Sequence, residues 1–138
     1  MTTIILTIIG ILLAAAAALM VIFYGGDAFN SGSVGARANT LQNAGTNVIS
    51  AVTLFKAEGA ATPGTVSALS PNYLKEEPAL DGIGTQVDAI TGGLYTVTGV
   101  EDEVCARVNK NLGLAENATG KASKMGCDTT DNVFYAAV

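Results

Sequence analysis

The sequence predicts an α+β protein, in which a long N-terminal helix forms a spine and a small antiparallel sheet packs on its C-terminal half. Three observations lead to this prediction. All 12 acids and 7 bases of the 138 residues lie at or beyond Asp27, so residues 1–26 are uncharged. Apolar residues then recur every three or four positions as far as Phe55, as on a one-sided helix. Farther along, residues 94–98 alternate bulky and polar side chains as a half-buried strand does.

The chain is therefore divided into two predicted domains. Residues 1–26 form a hydrophobic N-terminal helix, and residues 27–138 form a globular head that includes the amphipathic second half of the helix, 27–58. A length of 138 residues allows about one folded domain, which fits a single small head.

The first segment, Met1–Tyr24, is an apolar run that only Thr2, Thr3, Thr7 and Gly10 interrupt. As a helix it would span roughly 36 Å, at about 1.5 Å per residue, against a hydrocarbon core of about 30 Å. Threonine hydroxyls bond back to the preceding turn, so they are compatible with burial in lipid. The run also lacks the basic n-region of a cleaved signal peptide and exceeds its apolar stretch of about 7–15 residues. The segment is long enough to cross a membrane.

No Lys or Arg stands beside either end of this run, whereas ordinary single-span anchors usually carry one there. A chain that starts directly in apolar sequence indicates that a charged leader has been removed. We therefore expect Met1 to be the start of a mature chain.

The second half of the helix is predicted from an apolar stripe. Gly25 and Gly26 precede the stripe and lower helix propensity by about 1 kcal/mol each. Gly59, with Thr62-Pro63-Gly64, ends the helix. We interpret the stripe as the face that packs on its own domain. Its members are Val34, Ala38, Leu41, Ala44 or Gly45, Val48, Val52 and Phe55.

Residues 60–82 are predicted to be a loop because all three prolines of the chain lie there, although Thr65 to Leu69 is compatible with a short helical turn. Two strands, Gln86–Ile90 and Leu94–Val100, flank a hairpin turn at Thr91-Gly92-Gly93.

A short helix is predicted next, from apolar residues that repeat every four positions between Val100 and Leu112 and stop near Gly113. The acids Glu101–Glu103 at its start suit the positive end of the helix dipole. The last residues, Asn132–Val138, are predicted to form a terminal strand.

The two cysteines are Cys105, in the short helix, and Cys127, just before the terminal strand. If the domain is exported, their pairing is the simplest use, and two free buried thiols are the alternative. Closing a loop of about 22 residues stabilises by roughly 3 kcal/mol in the chain-entropy model. The polar, glycine-containing segment between them, including a surface loop at 113–126, would gain from such a link. No CxxC spacing indicates redox catalysis.

The composition disfavours several functions. The chain has no His and no Trp, so general acid–base catalysis, imidazole metal ligation and Ser–His or Cys–His pairs lose their usual centre. A net charge of −5 disfavours nucleic-acid binding, and two cysteines alone cannot form a four-ligand zinc site. We therefore expect no enzyme, no catalytic residue, no cofactor, no metal and no direct nucleic-acid site.

Three smaller signals are interpreted as structural. The acids Glu101–Glu103 lack the alternating spacing of an EF-hand loop. Lys121 and Lys124 are typical of a solvated face. Asn117-Ala118-Thr119 matches the N-glycosylation pattern, but such triplets often arise by chance, so we assign no role to it.

Taken in order, these elements resemble those of type IV pilins. The shared pattern is an uncharged N-terminal helix, an amphipathic half-helix, a loop, a small antiparallel sheet and a cysteine pair near the C-terminus. The loop Pro71-Asn72-Tyr73-Leu74, with Pro78 and Asp81-Gly82, is similar to the proline-and-tyrosine loop of pilins and pseudopilins.

Within that family, the type IVb branch, which includes the pilins of thin conjugative pili, is the most similar. The order Leu94–Thr98, Cys105, Cys127 and Tyr135 resembles that branch, and so does a mature terminus on Met1 rather than on Phe.

The resemblance implies a structural subunit of an extracellular pilus on the cell surface, a helical filament of identical subunits, with an inner-membrane pool before assembly. Prepilin peptidase and the pilus assembly machinery are then separate partners, and Met1 is the processed N-terminus and a candidate for N-methylation. Any bend or melted stretch in the helix would fall at Gly10, Gly25 and Gly26, since no proline interrupts it. The filament core would consist of Ile4, Ile5, Leu6, Ile8, Ile9, Ile11, Leu12, Leu13, Leu19, Val21, Ile22 and Phe23.

One position departs from the family pattern. This chain has Ile5 where the family usually carries a Glu, which is thought to pair with the N-terminal amine of a neighbouring subunit. Isoleucine cannot form that pair. The hydroxyls of Thr2, Thr3 or Thr7 would solvate the amine less strongly than a carboxylate in a low dielectric.

Three functional hypotheses follow. The first is a major, filament-forming pilus subunit, whose role could be adhesion, motility, conjugation, DNA uptake or phage attachment. The second is a minor pilin, or a pseudopilin of a secretion system, which copy number in a sheared surface fraction would separate from the first. The third is a single-span, membrane-anchored binding or sensor domain.

Overall fold

The computed structural model describes residues 1–121 and 123–138, with side chains for all of these except Thr2. It confirms the predicted α+β class, because a long helix precedes a four-stranded antiparallel sheet and a second helix. The chain divides into two compact units, Met1–Ser33 and Val34–Val138. The elements are α1 (Thr2–Ala57), a 3-10 turn (Ser67–Leu69), β1 (Thr85–Thr91), β2 (Leu94–Thr98), α2 (Asp102–Asn111), β3 (Met125–Asp128) and β4 (Val133–Ala137).

Helix α1 is continuous and passes through Gly25 and Gly26 without a break. The two glycines cost about 1 kcal/mol each in helix propensity, but propagation of a helix this long is cooperative and the turns on either side stay helical. The helix ends where the sequence predicts. Gly59 adopts a φ of +83° and its N–H donates to the carbonyl of Lys56 at 3.0 Å, which stops the helix.

The stripe predicted on the second half of α1 is buried, as expected. Ala38, Leu41 and Val48 are 0% exposed and Val52 is 1% exposed. They belong to one core cluster with buried side chains of the central strands β2 and β4. Burying an aliphatic side chain of this size stabilises by about 1.5–3 kcal/mol. This face therefore holds the second half of α1 on the sheet.

Helix α1 lies close to side chains of the sheet at Gly45. A β-carbon placed there would lie 2.9 Å from Met125 Cε and 3.0 Å from Phe134 Cζ, closer than side-chain atoms normally pack. Of the two candidates that the sequence leaves open for this turn of the stripe, both Ala44 and Gly45 are buried. Gly45 lets the helix backbone lie directly against the Phe134 ring of β4.

The sheet has the order β1-β2-β4-β3, and every neighbouring pair is antiparallel. Strands β1 and β2 form the predicted hairpin. Its turn residues Gly92 and Gly93 have φ values of +62° and +73°, as a two-residue type I′ turn requires. Tyr95 and Val97 of β2 are both 0% exposed, which confirms the alternation predicted for this strand.

The buried ring of Tyr95 keeps a partner for its hydroxyl. The hydroxyl donates to Gln86 Oε1 of β1 at 3.0 Å. Burial, followed by the nearby negative charge of Glu77, raises the pKa of Tyr95 to about 12. This phenol therefore stays neutral near neutral pH.

The sequence does not predict strand β3. Its four residues include a glycine and an aspartate, which are depleted in strands. The strand forms because its backbone pairs with β4, with Cys127 opposite Phe134. The prediction that 113–126 is a surface loop throughout is therefore wrong at its C-terminal end, where β3 begins.

The outer edge of β1 is covered by the segment that follows Gly64. The N–H of Ile90 donates to the Gly64 carbonyl at 2.9 Å, and the N–H of Val66 donates to the Asp88 carbonyl at 2.8 Å. The Asp88 carboxylate accepts from the N–H of Ser67 at 2.8 Å and from its hydroxyl at 3.0 Å. The helical turn expected in this segment is present as the 3-10 turn. These bonds occupy part of a strand edge that is otherwise open to pairing.

The loop 60–82 returns to the end of α1 through Tyr73. Its ring meets Phe55 edge to face, with centroids 5.3 Å apart and an interplanar angle of 75°. Its hydroxyl donates to the Glu58 carboxylate, and this bond is the main reason that the pKa of Tyr73 is raised. The loop is therefore packed against the helix at this point.

We predict that Gly45→Val lowers the free energy of unfolding by about 1–3 kcal/mol, because the added methyl groups collide with the Phe134 ring. Gly35→Val is the matched control, since it lies in the same helix and a β-carbon there meets only Arg107, at 3.8 Å. Urea unfolding of the full chain in detergent, followed by near-ultraviolet circular dichroism, measures both. Equal effects of the two substitutions would contradict the close approach at Gly45.

Candidate functional site

The apolar segment, residues 1–24, presents large hydrophobic side chains to the outside. The side chains predicted to form a filament core range in exposure from 48% at Ile9 to 72% at Phe23. Soluble monomers rarely expose apolar patches larger than a few hundred Å². By length and composition, α1 is one helix that could cross a membrane, and none of its most apolar stretch is buried. This surface is the candidate functional site of Met1–Ser33.

The threonines of the apolar segment bond within the helix. Thr7 Oγ1 donates to the Thr3 carbonyl at 2.7 Å, which lowers the cost of burying that hydroxyl. The Thr7 oxygen keeps lone pairs that can accept from an amine, whereas Ile5, 57% exposed, offers only methyl groups. Met1 is 97% exposed. The side chain of Thr2, the third candidate partner for the amine, lies outside the described part of the chain.

The three glycines predicted as bend points are all helical. A β-carbon at Gly10, Gly25 or Gly26 would meet nothing within 4 Å. Packing within this chain therefore gives no reason for glycine at these positions. Their use as bends within a polymer stays a prediction.

The predicted disulfide is present in the second unit. It joins Cys105 of α2 to Cys127 of β3, with Cα atoms 5.2 Å apart. Both cysteines are buried, with exposures of 0% and 1%. The bond spans 22 residues, and a loop of this length corresponds to roughly 3 kcal/mol in the chain-entropy model. The alternative of two free thiols is excluded.

One helical turn beyond Cys105, the fully buried Asn109 pairs with the backbone of Cys127 at both ends of its amide. Its Nδ2 donates to the Cys127 carbonyl at 2.8 Å, and the Cys127 N–H donates to its Oδ1 at 2.8 Å. The amide thus takes the place of a neighbouring strand residue along the outer edge of β3. Together with the disulfide it fixes α2 to β3 at two adjacent points.

The turn that follows β3 is organised by Asp128. Its carboxylate accepts from the N–H of Gly120 at 2.8 Å and from the N–H of Thr130 at 3.0 Å. These backbone donors, Thr130 first, lower the pKa of Asp128. Nearby, the N–H and hydroxyl of Thr129 both donate to the Ala118 carbonyl at 3.1 Å. The loop after α2 is therefore anchored to the β3–β4 turn.

Two exposed ion pairs flank α2. Arg37 of α1 meets Glu101 at 2.7 Å, and Lys110 meets Glu116 at 2.9 Å. The hydrogen bond from Lys110 lowers the pKa of Glu116. Exposed pairs of this kind contribute about 0–1 kcal/mol, so they orient side chains more than they stabilise the fold.

The acidic group at the start of α2 consists of Glu101, Asp102 and Glu103. Glu101 is engaged by Arg37. Across residues 1–121 and 123–138, no group of three or more His, Cys, Asp or Glu side chains is placed to hold a metal ion.

Sequence reasoning missed Asn109 and Asp128. A signal for Asn109 was available, since it follows Cys105 by four residues and therefore lies on the same helical face. Asp128 is adjacent to Cys127, but its role depends on the backbone of a distant loop. No local pattern indicates that contact.

We predict that Asn109→Ala lowers the free energy of unfolding by about 1–3 kcal/mol, because it leaves the N–H and carbonyl of Cys127 buried without partners. Asn111→Ala, at the exposed end of the same helix, should change it by less than about 0.5 kcal/mol. Urea unfolding of the oxidised full chain in detergent compares them. Equal losses would mean that the Asn109 amide is not a specific support of β3.

The Asp128 carboxylate should make stability depend on pH in the acid range. Its pKa is lower in the folded chain than in the unfolded chain, so its contribution is complete above the unfolded value of about 3.9 and is lost as pH falls through the folded value. The difference in unfolding free energy between wild type and Asp128→Asn should therefore shrink between about pH 5 and pH 2. A difference that stays constant over this range would contradict the proposed carboxylate role.

Comparison with known proteins finds no relative of this chain. No protein-family model, no curated protein and no solved structure matches the chain. Its function has to be inferred from its own residues and their geometry.

Proposed function

We propose that this chain is the structural subunit of an extracellular filament of the type IV pilus kind, which polymerises through the apolar segment. The observation that carries the proposal is the exposure of that segment, where the predicted core side chains are 48–72% accessible. An apolar rod of this length must be covered either by lipid or by other copies of itself.

Both environments suit the composition of the segment. In a bilayer, the helix satisfies its backbone hydrogen bonds internally and lipid covers its side chains. Between copies, the run Ala14–Ala18 offers a smooth surface on which helices approach closely. The same segment can therefore anchor the subunit in the inner membrane before assembly and later form a filament core that excludes water.

The second unit suits an extracellular location. The core of Val34–Val138 is built from its own residues, from Ala38 onward. The Cys105–Cys127 disulfide links α2 to β3 within this unit. Disulfides persist in oxidising compartments outside the cytosol. A self-contained, disulfide-linked head would remain folded whether its helix lies in lipid or in a filament.

The polymer would be open and helical. Identical copies that pack side by side through one helix make a heterologous contact, which does not close on itself. Before assembly the chain would be held in the inner membrane, where prepilin peptidase and the assembly machinery would act on it as separate partners.

A charged residue in the apolar segment tests this function. We predict that Ala16→Asp abolishes filaments, because a carboxylate at the centre of the segment would be buried without a partner. The variant should still reach the membrane, since one Asp costs about 2.5–3.5 kcal/mol at a helix centre and many apolar residues remain. Ala60→Asp, at an exposed position beyond α1, is the control and should assemble normally.

The measurement compares the membrane fraction with the material sheared from the cell surface, both by immunoblot and by negative-stain electron microscopy. Filaments of normal yield from Ala16→Asp would overturn the core assignment. A wild-type chain found only in the membrane would favour the anchored binding or sensor domain. A wild-type chain present as a trace of the sheared filaments would favour the minor pilin or pseudopilin.

A further inference from the structure

Four bases and four acids of Val34–Val138 accompany opposite edges of the sheet. Because the strand order is β1-β2-β4-β3, the strands β1 and β3 are the edges. Three strand spacings of about 4.8 Å separate them by about 14 Å. These two groups, defined below, carry opposite charge, while Glu101–Glu103 at the start of α2 and Asp131 after β3 belong to neither group.

The acidic edge, defined here as Glu76, Glu77, Asp81 and Asp88, accompanies β1. Asp88 is part of that strand, and Glu77 accepts a hydrogen bond from the Gln86 side chain of β1 at 3.3 Å. All four carboxylates belong to exposed residues. Residues 75–88 contain these four acids and one base, Lys75, so their local net charge is −3.

The basic edge, defined here as Arg107, Lys110, Lys121 and Lys124, accompanies β3. Lys124 directly precedes the strand, and its carbonyl accepts from the N–H of Ala137 at 2.7 Å. Lys121 follows Gly120, whose backbone N–H donates a hydrogen bond to the Asp128 carboxylate of β3. The other two bases lie on α2, which the disulfide and Asn109 fasten to β3.

This edge concentrates the scarce bases of an acidic chain. Four of the seven bases fall within residues 107–124, together with one acid, so the local net charge is +3 against −5 for the whole chain. All four bases are exposed. The Asp128 carboxylate of β3, which accepts from the backbone N–H groups of Gly120 and Thr130, adds one negative charge beside these bases. A solvated face alone does not require such a separation of signs.

We propose that the basic edge of one copy docks against the acidic edge of a second copy of this chain, as the contact between heads in the filament. This inference rests on the proposed function. With Asp128 of β3 included, residues 107–128 carry a local net charge of +2 against −3 for residues 75–88, so the contact brings opposite charges together. Because the two surfaces lie on opposite edges, the contact is heterologous and continues from copy to copy. Charge complementarity of this kind sets register and orientation more than it adds affinity.

Charge reversal with rescue tests the contact. The basic-edge variant carries Lys121→Glu and Lys124→Glu, and the acidic-edge variant carries Glu76→Lys and Glu77→Lys. Each should reduce the yield of sheared filaments by about tenfold, as expected when close charge pairs become repulsive. Combining all four substitutions in one chain should restore the yield, because every copy then presents both edges with exchanged signs.

Two control variants keep the charge or move it elsewhere. Lys121→Arg with Lys124→Arg retains the sign of the basic edge. Asp102→Lys with Asp131→Lys makes the same charge change as the acidic-edge variant at exposed acids outside that edge. Both should assemble at wild-type yield. The near-ultraviolet circular dichroism of the buried tyrosines, Tyr95 and Tyr135, establishes that each variant is folded in detergent.

Zero-length carbodiimide cross-linking of wild-type filaments gives a readout that does not depend on any variant. In filaments grown from mixed ¹⁴N- and ¹⁵N-labelled chains, mass spectrometry should find links between copies that join Lys121 or Lys124 to Glu76 or Glu77. Filaments without such links, or reversed variants that assemble at full yield, would overturn the docking contact and leave the proposed function standing. A wild-type chain that forms no filaments would overturn both.

Discussion

The need to cover the apolar segment governs the organisation of this chain. Its large side chains stand 48–72% exposed along α1, and each would gain up to about 1.5–3 kcal/mol on full burial. The core of Val34–Val138 contains none of them, because every member of that core follows Ser33. The core of Val34–Val138 is therefore built from its own residues, and the large side chains of the apolar segment take no part in it.

The head has a small core and two supports at the β3 edge of its sheet. The second half of α1 packs closely on the central strands through Gly45 and the buried stripe. At the β3 edge, α2 is held by the Cys105–Cys127 disulfide and, one helical turn farther on, by the two hydrogen bonds of the Asn109 amide. Small domains bury a limited fraction of their surface, so such supports carry a large share of stability.

The elements that depend on local periodicity could be predicted from the sequence. The stripe on α1, the glycine hairpin and the terminal strand follow from spacing, and the cysteine pairing follows from there being only two cysteines. Strand β3 has no local signature, since its pairing with β4 and the Asn109 amide create it. The exposure of the apolar segment was predictable from composition. The partner of the amine near Ile5 was not, because it would come from a second copy.

Because position 5 carries isoleucine and not an acid, assembly through the apolar segment would depend on apolar packing rather than on a buried ion pair. The most direct measurement is cryo-electron microscopy of filaments sheared from the cell surface, with side-chain density used to identify the chain. Our account predicts a thin helical filament whose dry core is residues 1–24 of many copies, with heads outside it and no carboxylate beside the amine. A filament built from another chain, or one in which residues 1–24 lie outside the core, would contradict it.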